Sequence, residues 1–151
     1  MQYLTFRLNG VEYAVDVNIV ETVVEYSSAM AVPSPVDYMK GVMDLRGRVI
    51  PIIDLRRKFG LAEAENTNRA SVVVIFVDDG KGGQLSVGAL VDEVSEVVTF
   101  EDGSVEAARA DGVALWERYV SGIVRLEERM IVLIEVEGLF SIREIEALHA
   151  A

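Results

Sequence analysis

The sequence predicts a mainly β fold, one body made of two similar small barrels. Three observations lead there. Half of the 151 residues are apolar and Val and Ile abound, so the chain can bury a real core. Short apolar runs alternate with turn signals, the pattern of small barrels or a sandwich rather than of a parallel sheet. A stretch beginning at Gly41 also recurs, without a gap, 81 residues later.

Leu4, Phe6 and Leu8 alternate with Tyr3, Thr5 and Arg7, the period of a half-buried strand. Asn9-Gly10 predicts a hairpin turn because both residues accept positive φ, and Val11, Tyr13 and Val15 return on one face. DVNIVETVVEY opens with a good cap at Asp16 and reads as a short helix running into a strand, although its β-branched residues disfavour helix. AVPSPVDYM is a loop with two prolines. GVMDLRGRVIPIIDL joins two strand-forming runs through Arg46-Gly47, and the second run contains a proline, which cannot donate to a ladder. DLRRKFG is one helical turn, capped by Asp54 and stopped at Gly60. EAENTNR is a polar surface loop. SVVVIFV and QLSVGALV are strands joined by the turn DDGKGG. EDGSVEAARADGV is the least structured part, and YVSGIVRL and RMIVLIEV form a last strand pair. Ser141 with Glu144 makes a capping box for a terminal helix through Ala147.

The repeat sets Gly41 on Gly122, Leu45 on Leu126, Arg48 on Arg129, Ile50 on Ile131, Ile53 on Ile134 and Phe59 on Phe140. A looser echo pairs VETVV, from Val20, with VSEVV, from Val94. Ile50 and Ile53 are therefore expected in one core, with Ile131 and Ile134 at equivalent sites in the other. The copies differ at Arg46-Gly47, which becomes Glu127-Glu128, and at Pro51, which becomes Val132. Positions that differ are candidates for function; for Arg46 the competing reading is a solvated turn residue.

Composition narrows the function classes. A net charge of −11 argues against nucleic acid and against an anionic membrane surface, since phosphate binding needs a basic face. No apolar run approaches the roughly 20 residues that span a bilayer, and MQYLTFRLNG has no secretory pattern, so a cytoplasmic location is expected. Without cysteine there is no disulfide, thiolate metal site or cysteine nucleophile. The only histidine, His149, lies next to the C-terminus and is a poor base or ligand. Ser86 lacks the glycine that a nucleophile elbow needs before it. DDGKGG fails as a calcium loop and as a phosphate loop, for want of oxygen ligands and of a Ser or Thr after Lys81. Trp116 and Tyr119 could stack on a ligand or lie in the core. No catalytic residue, metal site or cofactor is expected. What remains is a binding surface, an apolar groove between VETVV and VSEVV with Arg46 as a charged anchor; the competing reading puts these valines in the two cores.

GVMDLRGRVIPIIDLRRKFG, VGALVDEVSEVV and YVSGIVRLEERMIVLIEVEGLF resemble the CheW family of chemotaxis coupling proteins, over essentially the whole chain. The resemblance implies a single domain over 1–151 of two five-stranded, SH3-like barrels around a shared hydrophobic core, with short helices and a C-terminal helix. It implies a non-enzymatic adaptor, recruited to membrane receptor arrays, that joins the cytoplasmic tip of methyl-accepting chemoreceptors to the regulatory domain of a CheA-type histidine kinase. The implied receptor-facing positions are Val20, Gly41, Arg46, Val94 and Val97. Two departures bear on partner choice: Asp44 stands where the family often has asparagine, close enough to hold Arg46, and Thr22 where some members carry glutamate. The alternatives are a CheW-like adaptor of a non-chemotactic array, of the twitching or surface-sensing type, and a small β-barrel ligand-binding protein or enzyme.

Overall fold

The alternation at the start of the chain becomes a hairpin. Strands β1 (Gln2–Leu8) and β2 (Val11–Asp16) pair across Asn9-Gly10, whose φ angles of +53° and +78° suit a tight mirror-image turn. The structure, a computed structural model, describes residues 1–27, 29–31, 37–61, 70–106, 119–136, 139 and 140. The EAENTNR loop, Trp116, the terminal helix from Ser141 to Ala147 and His149 lie outside the described residues.

After β2 the Asp16 carboxylate accepts from the Asn18 N–H at 2.9 Å and caps a single 3-10 turn, Val17–Ile19, that runs directly into β3 (Val20–Glu25). Strands β4 (Met39–Leu45) and β5 (Arg48–Asp54) form the second hairpin, and α1 (Leu55–Lys58) is the predicted helical turn. Asp54 caps it by accepting from the Arg56 N–H at 3.0 Å, and Gly60, at φ +73°, ends it. Strands β6 (Ser71–Asp78) and β7 (Gln84–Val91) follow. Their DDGKGG turn is held by the Asp79 carboxylate, which accepts from Lys81 N at 2.7 Å and Gly83 N at 3.0 Å; those backbone donors hold its pKa down. Then come β8 (Glu93–Thr99), a 3-10 turn Asp102–Ser104, β9 (Val105–Glu106), β10 (Val120–Leu126) and β11 (Arg129–Ile134). Of the region expected to be least structured, 101–106 contributes a turn and a short strand, β9, which pairs with β10, while 107–113 lies outside the described residues.

Two sheets result, one ordered β8-β1-β2-β11-β10-β9 and the other β3-β6-β7-β5-β4. Each has one parallel contact, β2 with β11 and β7 with β5, and antiparallel ladders elsewhere. The repeat is visible in five strands of each sheet; the sixth, β9, has as its counterpart only the isolated bridge of Met30 to Val42. Both late hairpins slip register at equivalent points, between Met39 and Gly41 and between Val120 and Gly122. The Asp54 N–H donates to the Tyr38 carbonyl and the Glu135 N–H to the Tyr119 carbonyl, each at 2.8 Å. The two halves of the chain nonetheless interleave: β3 leaves for the second sheet and β8 returns to the first.

Pro51 is tolerated in β5 because its ladder partner is Val42, whose N–H and C=O are engaged by Met30 at 2.9 and 2.8 Å on the far side. The core has three parts. The largest takes Phe6, Leu8 and Tyr13 from the first sheet and Ile53, Val73 and Val87 from the second. Smaller clusters belong to one sheet each, around Val124 and Leu133 and around Ile52 and Val72. Ile50 and Ile131 are equivalent, as are Ile53 and Ile134, but each pair is divided: Ile50 and Ile131 lie in the separate clusters, Ile53 and Ile134 in the shared one. Residues three apart on a strand point to opposite faces, and both faces of β5 and β11 are buried.

Candidate functional site: the Arg46 turn and the edge strands

Arg46 and Gly47 close the β4–β5 hairpin at φ +53° and +85°, and Glu127 takes the same conformation, φ +57°, in the other copy. A side chain other than Asn or Gly in that region is uncommon, with a penalty on the order of 1 kcal/mol. Asp44 does not hold the guanidinium. Its Oδ1 accepts from the Gly47 N–H at 3.0 Å, fixing the turn. Arg46 is exposed and makes no ion pair among the described residues.

Arg48, two residues on, anchors this turn to the edge strand β3. It pairs with the Glu21 carboxylate and donates to Ser86 Oγ at 3.3 Å, while Ser86 donates to Glu21 Oε1 at 2.8 Å. The repeat reproduces the arrangement: Arg129 donates to Glu12 at 2.7 and 3.0 Å and to Glu96, on edge strand β8, at 2.6 Å. Glu12 is held below the usual carboxylate pKa, first by the Arg129 hydrogen bond. Arg129→Met should lower stability by roughly 1–2 kcal/mol in urea titrations, a buried-pair effect reduced because the guanidinium is 36% exposed; an unchanged midpoint would show the clasp is ornamental.

The edge strands carry the predicted valines, and a bulge aligns them. On β8, Val97 lies opposite Leu4 and Val94 opposite Phe6, so one extra residue sits between them. Buried Thr5 fills that bulge, its hydroxyl donating to Glu96 O at 2.9 Å and accepting from Glu96 N at 3.1 Å. Val94 and Val97 therefore share a face despite their odd spacing. On β3 the same slip sets Val20 opposite Ile75 and Val23 opposite Val73. Val20 and Val94 border the shared core from opposite sheets, whereas Val97 is 51% exposed. Thr22, half-buried, lies opposite Val74.

Gly41 is not on this surface. It is buried, and a Cβ there would meet the Met30 carbonyl oxygen at 2.3 Å. Reading the sequence missed Glu21 and Ser86 as anchors. It also missed Val49 and Met130, exposed apolar residues beside Arg48 and Arg129 that the 81-residue offset pairs.

Among the described residues no cluster of three His, Cys, Asp or Glu side chains could hold a metal. Fold and site together define a β-rich scaffold whose candidate site is a surface rather than a set of reacting groups. The CheW-like domain matches residues 2–144, and the chain belongs to that family of chemotaxis scaffold proteins. It is 36% identical to a probable chemotaxis protein CheW of Rhizobium etli, over 97% of this chain and 91% of the relative. It is 36% identical to the chemotaxis protein CheW of Klebsiella aerogenes, over 95% and 83%. The crystal structure of the scaffolding protein TtCheW from Thermoanaerobacter tengcongensis superposes with a TM-score of 0.79 at 26% identity, over 93% of this chain and 92% of that one.

Proposed function

We propose that the protein is a non-enzymatic cytoplasmic adaptor, one domain of two barrels over 1–151, that couples methyl-accepting chemoreceptors to a CheA-type histidine kinase. Val20, Arg46, Val94 and Val97 meet the receptor tip, with Thr22 and Asp44 tuning partner choice and Gly41 acting from below by letting Met30 pack against β4. Arg46 carries the reading. It is an exposed cation on a strained turn, its neighbour Asp44 engaged elsewhere, and it is braced through Arg48 and Glu21 to the strand that bears Val20 and Thr22. A guanidinium placed so can cap carbonyls or pair with a carboxylate on a helical hairpin while the valines bury its apolar side. Binding receptor and kinase together couples their conformational equilibria, and the coupling is reciprocal. No helix among the described residues is long and apolar enough to cross a membrane.

The sheet that carries the Arg46 turn presents an edge to the kinase's regulatory domain. Calorimetry with the cognate regulatory domain should give saturable binding in the micromolar range, about 8 kcal/mol of affinity. No heat of binding at tens of micromolar would count against the adaptor.

A further inference from the structure

The two copies of the repeat part company beyond the last strand. The parallel ladder between β2 and β11 ends at Ala14 and Leu133, and past it the strands separate. Between them lies a cleft of about 190 Å³, lined among the described residues by Tyr3, Asp16, Ile19, Ser121, Ile134 and Glu135, none of them a lysine or arginine. The Tyr3 ring stacks on Phe100 at 4.8 Å. Burial first, then the charges of Asp16, Asp102 and Glu135, push the Tyr3 phenol pKa up.

The equivalent end of the other sheet carries its own cations. Asp54 stands where Glu135 stands in the later copy and is followed by Arg56, Arg57 and Lys58; Glu135 is followed by Glu137, Gly138 and Leu139. Lys40 stands at the position of Ser121. Asp54 spends its carboxylate on the Arg56 N–H and lies 4.0 Å from Arg57 Nε. Every one of those cations is missing from the copy that has the cleft.

We propose that the cleft binds a guanidinium group, which supplies from outside the cation that the first copy holds in its own chain. A flat guanidinium presents donors to the two carboxylates and the Tyr3 oxygen, and is less strongly hydrated than an ammonium. Ile19 and Ile134 take the methylene stem of the side chain that carries it. The group comes from an arginine of a partner protein or from a small guanidine.

The test is a titration of the ¹⁵N-labelled full chain with acetyl-Gly-Arg-Gly-amide, with its citrulline counterpart and with arginine methyl ester, following the Ser121 and Glu135 amides. The arginine peptide should saturate in the millimolar range, the citrulline peptide should not, and Glu135→Gln should weaken binding about tenfold. A peptide that binds much tighter than the ester points to a protein partner, and equal affinities to a small guanidine; both support the site. Glu135 is exposed, so its variant should fold, and Tyr3→Phe gives a second reading of the same cleft. Equal binding of the arginine and citrulline peptides, or shifts unchanged in Glu135→Gln, would overturn the proposal.

Discussion

Gly41→Ala is expected to lower the melting temperature by about 6–12 °C, on a loss of about 3 kcal/mol. The reason is steric and lies in the backbone. Gly41 sits at φ +151° at the register slip of β4, and an added Cβ would fall 2.3 Å from the Met30 oxygen and 2.8 Å from its carbonyl carbon. Those atoms cannot rotate away as a side chain can, because Met30 exchanges both of its backbone hydrogen bonds with Val42. Relief requires breaking that bridge or bending β4, and overpacking of this kind typically costs 1–3 kcal/mol on top of the dihedral strain, by rough estimate. Gly47→Ala is the control. Gly47 also has positive φ, at +85°, but nothing lies within 4 Å of its Cβ position, so its loss should be only about 1 kcal/mol. Equal losses at the two positions would show that the Met30 bridge yields freely. Gly122 faces a similar obstacle, the Glu106 oxygen at 2.9 Å, so both copies carry glycine where another backbone segment, the Met30 bridge or β9, approaches the slip. Any loss of coupling in Gly41 variants should therefore accompany a loss of stability.

Asp92→Ala should cost about 3–5 kcal/mol. Asp92 takes Arg56 Nε at 2.6 Å and a second guanidinium N–H, and also the Asn9 N–H at 2.8 Å. One carboxylate thus ties α1 to the turn of the first hairpin. Arg56 and Asp92 are 11% and 16% exposed, so removing the anion takes this acceptor from a largely desolvated guanidinium and from a turn N–H together. Burial alone would raise the Asp92 pKa; the hydrogen bonds from Arg56 and Asn9 more than offset it and leave the group below the usual aspartate value. A depressed folded pKa contributes stability above the unfolded value, near 3.9, and loses it as pH falls through the folded one. The wild type should accordingly lose stability below about pH 4, more steeply than Asp92→Ala, in urea titrations across that range. Parallel pH profiles would assign the acid sensitivity to other carboxylates.

Most of the strand order along the chain was legible because period-two alternation, Asn9-Gly10 and the Asp54–Gly60 turn are local signals. The repeat was legible too, down to the hairpin ends. Its placement in space was not: nothing local says that β3 crosses to β6 while β8 returns to β1, since such pairings are set by the shared core. The split of Ile50 from Ile53 followed from strand geometry alone and was there to be read. At the site, Val20 and Val94 stood out because a short surface helix does not need so many valines. The bulge that aligns Val94 with Val97 depends on Thr5, some 90 residues away, and no pattern near Val97 announces it. Glu21 and Ser86 were hidden for the same reason, as partners that meet only after folding.

On the proposed function, the Arg46 turn meets a receptor while contributing little to the fold. The measurement is receptor-dependent kinase activation in a reconstituted mixture, run beside thermal melts, for wild type, Arg46→Ala and Arg46→Asn. Asparagine keeps a residue that accepts positive φ and removes only the guanidinium. Exposed and without an ion-pair partner among the described residues, Arg46 should shift stability by about 0.5 kcal/mol or less in either variant, while activation falls with a binding loss of about 1–3 kcal/mol. Full activation by both variants would make Arg46 a solvated turn residue with no part in coupling, and unfolding of both would make it structural; either result overturns its role at the receptor.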